Sequence, residues 1–282
     1  MTIKAIVLDM DGTMLNEESK VSTQLSNYIT NLRQTGMKVF IATGRTILEV
    51  EDTVPDGFEV DGIVNSNGMS AFINGKQLFQ HSLNPPLVEL LIKEARARGL
   101  YYEIHPAVGE RYVLKDDKSI ILDAIKGTRP LTVEEMEWRS RKAAVEKYIE
   151  WKDNLNPNNI SKIYFFSKEK VIMDTWISFL QELKRKAGFT YASSTEHNVE
   201  VTAENINKAT GVQYLLDKFS LHFNEVLAVG DGENDLPLLQ RAGYAVAMQN
   251  APDNVKAYVD EVTEYSYKEA GLYRFLSKQF PL

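Results

Sequence analysis

Ile3-Lys4-Ala5-Ile6-Val7-Leu8-Asp9-Met10-Asp11-Gly12-Thr13 is the stretch that decides how this chain is read. Nearly every position from Ile3 to Leu8 is apolar, instead of every second one. That pattern predicts a strand buried on both faces, as in the middle of a parallel sheet. Asp9 and Asp11 then leave the strand end two residues apart, which directs both carboxylates to the same side. Two acids so placed are unfavourable unless a cation is present or one of them is protonated. Gly12 permits a tight exit, and the Thr13 hydroxyl offers a local hydrogen bond. An Asp-Gly turn capping a helix gives the same letters, so the rest of the chain has to separate the two.

Outward from this stretch the strand–helix alternation continues. Leu25, Tyr28, Ile29 and Leu32 recur at helical spacing, with Ser22 as N-cap and Gly36 just past the end. Met37–Ala42 reads as a second buried strand and Gly62–Asn65 as a short third, and Asn74-Gly75 between two apolar runs signals a hairpin. The same grammar returns late in the chain, with strands at Val226–Val229 and Ala245–Met248. Strands separated by helices imply a doubly wound, Rossmann-like parallel α/β sheet. The middle differs. Pro85-Pro86 opens a helix that stops at Gly99, Tyr101–His105, Arg111–Leu114 and Ile163–Phe166 read as strands, and Met173, Trp176, Ile177, Leu180 and Leu183 mark another helix. The expected organisation is a core of residues 1–83 and 192–282 with an inserted α/β domain at 84–191, both crossings lying in loop-like stretches, Ser82–Pro86 and Gly188–Asn198.

Three further segments lie where strands end or helices begin, the edge at which open parallel sheets bind ligands. Ala42-Thr43-Gly44-Arg45 follows the second strand and offers a hydroxyl and backbone N–H groups to a phosphoryl oxygen; Thr43 as a plain N-cap fits equally. Asn207-Lys208 opens a helix, where a lysine opposes the helix dipole unless an anion lies on that end; a solvated surface lysine is the alternative. Gly230-Asp231-Gly232-Glu233-Asn234-Asp235 follows a buried strand and suits a hard cation with oxygen ligands, although Asp235 also fits as a cap for a helix starting at Leu236-Pro237. A carboxylate cluster, a lysine and a hydroxyl at one sheet edge fit phosphoryl transfer.

Composition narrows the field. Of 282 residues 44% are hydrophobic and 25% charged, a globular profile with no apolar run of spanning length. A net charge of −7 disfavours nonspecific nucleic-acid or anionic-lipid binding, and the absence of cysteine suits a cytoplasmic location. Residues 84–191 carry a net +3 and the remainder −10, as for a basic lid that helps hold an anionic substrate or as ordinary surface composition. There is no P-loop, no dinucleotide-binding glycine signature and no metal-ligand spacing among the four histidines.

Asp-x-Asp-Gly-Thr at 9–13, Thr-Gly-Arg at 43–45, Lys208 and Gly-Asp-Gly-x-Asn-Asp at 230–235 resemble the four motifs of the haloacid dehalogenase superfamily. Asn65-Ser66-Asn67-Gly68, the long insertion, and Ala247-Met248-Gln249-Asn250-Ala251 are similar to its Cof-type subfamily, which carries an α/β (class IIB) cap. The resemblance implies a magnesium-dependent phosphatase acting on sugar phosphates or related metabolites. Asp9 becomes the phosphorylated nucleophile and Asp11 the general acid and base. Mg2+ falls to Asp9, the Asp11 backbone carbonyl, Asp231 and Asp235. Phosphoryl oxygens meet Met10 N–H, Thr43, Gly44, Lys208 and Asn234, and Arg45 and Asn67 reach the substrate. Glu103, His105, Arg111 and Tyr112, near the predicted hairpin of the insertion, are candidates to line its pocket or to pack it. Met14 stands in for the usual leucine, and Asn207 for the usual serine before the lysine. A phosphomutase using the same Asp9, or a noncatalytic phosphate-ligand sensor, are the alternatives.

Overall fold

In the computed structural model, which describes residues 2–282, β1 (Ala5–Leu8) is completely buried. Its side chains alternate between two apolar layers. Ile6 and Leu8 join Val39, Ile41, Leu227 and Val229 in one, and Ala5 and Val7 join Phe40, Val212 and Leu215 in the other. Helices on both faces leave no position of the strand in water, which is why the run lacks alternation. Each fully buried Ile, Leu or Val contributes about 1.5–3 kcal/mol.

After β1 the chain continues through α1 (Thr23–Gln34), β2 (Lys38–Ala42), α2 (Ile47–Glu51), β3 (Gly62–Asn65), β4 (Ser70–Ile73) and β5 (Lys76–Gln80). The inserted segment supplies α3 (Pro85–Ala97), β6 (Tyr101–Pro106), β7 (Tyr112–Leu114), α4 (Lys118–Ala124), α5 (Glu135–Ala143), β8 (Glu150–Lys152), β9 (Ile160–Phe166), α6 (Lys170–Lys184), β10 (Phe189–Ala192) and β11 (Asn198–Ala203). The remainder forms α7 (Lys208–Lys218), β12 (Val226–Gly230), α8 (Leu236–Leu239), β13 (Tyr244–Ala247), α9 (Asp253–Lys256), β14 (Glu261–Val262) and α10 (Gly271–Gln279). Ser22 caps α1 as expected, its hydroxyl accepting from Leu25 N–H at 3.2 Å.

Two compact units result: residues up to Phe79 together with Ile206–Leu282, and Gln80–Asn205. The first holds the eight-stranded sheet β14-β13-β12-β1-β2-β3-β4-β5, parallel from β14 to β3 and antiparallel between β3 and β4. From β1 the chain winds one way to β2 and β3, then returns on the other side at β12. The crevice between β1 and β12 is therefore the topological switch point.

The second unit holds the sheet β10-β11-β9-β6-β7-β8, antiparallel except where β7 meets β8. It runs past the boundary at 191 read from the sequence. Val199 pairs with Phe165 and Val201 with Ile163, so β11 belongs to this sheet, and Phe189–Ala192 is a strand where a loop was expected. The Val-Glu-Val-Thr alternation is only a few residues long and follows a polar turn, too weak a signal to mark a strand by itself. In this unit Glu103 lies opposite Tyr164 and His105 opposite Lys162 on one sheet face.

Candidate active site

Asp9 follows the last residue of β1, and its backbone N–H is held by Val229 O of β12 at 3.0 Å. The backbone then turns at Gly12, with φ +71°, in the left-handed region. A Cβ there would come within 2.0 Å of Asp231 Oδ2, so only glycine lets the carboxylate from the end of β12 pack onto this turn. The Thr13 hydroxyl lies 3.5 Å from Asp231 Oδ1.

Asp9, Asp231 and Asp235 each offer an oxygen within 4.8 Å of the others. The Lys208 ammonium donates to Asp9 Oδ1 at 2.5 Å and to Asp235 Oδ1 at 2.6 Å, and is 0% exposed. Lys208 is the first residue of α7, and the two carboxylates supply the anions that its position against the dipole demands. Asn207 caps that helix, accepting from Thr210 N–H at 3.1 Å. Asp235 precedes α8 but makes no cap bond with its side chain. Its Oδ2 accepts instead from the N–H groups of Asp231 and Gly232, each at 3.0 Å. Thr43 caps no helix either; α2 is capped by Thr46, and Thr43 Oγ1 accepts from Arg45 N–H at 3.1 Å.

Charge balance in this cluster is uneven. Burial first, and Asp235 second, push the Asp9 carboxyl up to about 7 against the pull of Lys208. Burial and Asp9 likewise raise Asp231 well above the usual carboxylate range. For Lys208 burial acts downward, but Asp235 and then Asp9 outweigh it and hold the ammonium charged. Three oxygen donors that converge with one resident cation between two of them fit a hard divalent ion such as Mg2+.

The Asp11 side chain takes no part in that cluster. Arg45 forks onto it, with Nε 2.9 Å from Oδ2 and Nη2 2.6 Å from Oδ1. Burial would raise Asp11, but the guanidinium outweighs it and holds the carboxyl below its ordinary value. Arg45, expected to reach substrate, is thus engaged with Asp11. The loops after β2 and β3 are tied together: Asn67 N–H donates to Thr43 O at 2.9 Å and Ser66 N–H to Arg45 O at 2.8 Å. Ser66, Asn67 and Gly68 all have positive φ (47°, 55° and 103°), and such strained runs cluster at ligand sites. Asn67 Oδ1 accepts from Asn234 Nδ2 at 3.2 Å, so residues from both ends of the chain meet. Met10, next to Asp9 in sequence, is fully buried, and Gly44 lies in the turn between Thr43 and Arg45.

The sequence patterns single out no role for one residue in contact with this cluster. Asn250, after β13, donates from Nδ2 to Gly12 O and to Asp231 Oδ2, both at 3.0 Å. Its position just past a strand end at the same sheet edge was the available signal. Of the candidates in the inserted segment, Glu103 is 0% exposed and accepts from Tyr101 OH, Arg111 and Arg141. Tyr112 OH donates to Asn156 O. Both hold the second unit together.

A family profile described as haloacid dehalogenase-like hydrolase matches residues 6–276. The 5-amino-6-(5-phospho-D-ribitylamino)uracil phosphatase YcsE of Bacillus subtilis is 27% identical over 270 residues, covering 95% of this chain and 92% of that protein. The phosphatase YwpJ of the same organism is 26% identical, covering 93% and 94%. Among solved structures, a haloacid dehalogenase-like hydrolase from B. subtilis superposes with a TM-score of 0.80 at 21% identity, over 99% of this chain and 100% of that one. A Streptococcus mutans protein, SMU.1108c, gives 0.82 at 19% identity over 100% of both chains.

Proposed function

Since the chain belongs to the haloacid dehalogenase-like hydrolases and is an enzyme of their phosphatase branch, we propose that it releases phosphate from small phosphate monoesters through an aspartyl-phosphate formed on Asp9, with magnesium held by Asp9, Asp231 and Asp235. The observation that carries this is the Lys208 ammonium seated between Asp9 and Asp235, beside Asp231, at the switch point of the sheet.

Lys208 takes one oxygen of Asp9 and leaves the other to attack. An O–P bond forms to Asp9 as the P–O bond to the leaving group breaks, and Asp11 hands its proton to the departing alkoxide. Water then gives a proton to Asp11 and attacks phosphorus, breaking the P–O bond to Asp9, which frees the Asp9 carboxylate and releases inorganic phosphate. Release of one Asp11 oxygen from Arg45 lets that carboxyl take up a proton. Magnesium, when bound, would neutralise charge on the transferring oxygens. Met10 N–H, Thr43, Gly44 and Asn234 are assigned to the phosphoryl oxygens, and Arg45 and Asn67 to the substrate, Arg45 after it leaves Asp11.

The substrate class we propose is a phosphorylated sugar or sugar-alcohol derivative, the ribitylamino pyrimidine named for the B. subtilis relatives included. The second unit, as a cap, selects the leaving group, and the location is cytoplasmic. Among the described residues no helix is long and apolar enough to cross a membrane.

The test is phosphate release from p-nitrophenyl phosphate and from a panel of sugar phosphates, with magnesium or with chelator. Asp9→Asn should abolish turnover; full activity in that variant would end the assignment. Steady release without any bisphosphorylated sugar separates a phosphatase from a mutase.

A further inference from the structure

Asn250 sits where three separated segments meet. Its Oδ1 accepts from the backbone N–H of Tyr267 at 3.2 Å. A backbone N–H can only donate, so this contact fixes which way the amide faces. Both remaining N–H bonds then point at acceptors, Gly12 O and Asp231 Oδ2, each at 3.0 Å. The side chain's two donors and its carbonyl are therefore all in use, and none of these bonds closes a helix or a strand. The loop that carries it is fixed from both sides, Met248 N–H donating to Gly230 O at 3.0 Å and Gln249 N–H to Thr263 Oγ1 at 2.9 Å.

Asp231 has few other restraints. Thr13 reaches Oδ1 at 3.5 Å, a weak contact, and the Gly12 backbone lies against the carboxylate. Without the amide of Asn250 that carboxylate loses the shorter of its two side-chain hydrogen bonds and is held less firmly in one orientation. A ligand held in one rotamer binds a cation without first losing that freedom.

We propose that Asn250 is a positioning residue that locks the Asp231 carboxylate for the divalent cation and ties it, through Tyr267, to the segment leading into α10. This rests on the metal assignment made above, since it concerns one of the same carboxylates. Removing an amide in this position typically weakens metal binding 10–100-fold.

The experiment is isothermal titration of the metal-free protein with Mg2+, with Mn2+ as a second probe, alongside thermal melting in chelator. Asn250→Ala should raise the dissociation constant at least tenfold, while turnover at saturating Mg2+ falls much less. Asn250→Leu keeps most of the volume, removes the amide and should behave alike if the alanine variant folds poorly. Tyr28→Phe is the control, since Tyr28 OH donates to Leu276 O and Phe280 O and anchors α10 away from the acids. It should lower the melting temperature and leave Mg2+ affinity unchanged. Wild-type affinity in a folded Asn250 variant overturns the proposal, as does an equal loss of affinity in Tyr28→Phe. A wild-type protein that binds no divalent cation refutes the metal assignment itself, a different failure.

Discussion

Replacing Lys208 by methionine keeps the length and most of the volume of the side chain and removes its charge. The ammonium lies 2.5 Å from Asp9 Oδ1 and 2.6 Å from Asp235 Oδ1, wholly out of water. At an effective dielectric near 20 each contact is worth roughly 6 kcal/mol of Coulomb attraction. Several kcal/mol of that offset the burial of the ammonium, so removing one partner of the buried pair lowers stability by about 3–5 kcal/mol. The loss must depend on pH. Asp9 already stands at about 7 with Lys208 pulling it down, and without that pull it moves higher. A carboxyl whose folded value is raised binds more protons folded than unfolded, so stability is greatest in acid and falls as pH rises through the folded value. Wild type loses this contribution between the ordinary carboxylate range and about 7, and the variant keeps losing it above that. Urea denaturation in chelator at a series of pH values should therefore show a small deficit near pH 5 and the full deficit near pH 8.5, part of it recovered by Mg2+. A deficit under ~1 kcal/mol at the alkaline end, or one equal at both ends, would refute the reasoning.

Gly12→Ala places a Cβ 2.0 Å from Asp231 Oδ2 at a φ of +71°. Left-handed backbone alone takes about 1–2 kcal/mol from stability; calorimetry should show a lower melting temperature and titration a weaker Mg2+ site. Arg45→Ala removes the guanidinium that holds Asp11 low. The Asp11 carboxyl followed by carbon NMR should then titrate at higher pH, and the stability its low value gives above the ordinary carboxylate range, lost as pH falls, should shrink; an unmoved titration contradicts the pairing. Glu103→Gln leaves Arg111 and Arg141, both on this buried carboxylate, without their anion. The second unit should lose about 3–5 kcal/mol in denaturation experiments, and a loss near zero would mean that water already compensates those charges.

The sequence by itself determined the class of fold and named the three acids and the lysine that the structure brings together. Ile3–Leu8 could be buried on both faces only in a layered sheet, and the acids after that strand needed a partner that the segments at Lys208 and Gly230–Asp235 supplied in letter and spacing. Those are local signals, set by periodicity, glycine and residue type within a few positions. Tertiary structure decided the rest, because contacts made over hundreds of residues leave no periodic trace. It turned Asp11 onto Arg45, sank Lys208 to 0% exposure between two carboxylates, and assigned Asp235 to backbone N–H groups in place of a helix cap. It gave β11 to the second sheet, since a short alternation acquires meaning only from the strand beside it. Asn250 became legible last, because an asparagine at a strand end is one of many until Asp231, Gly12 and Tyr267 close around its amide.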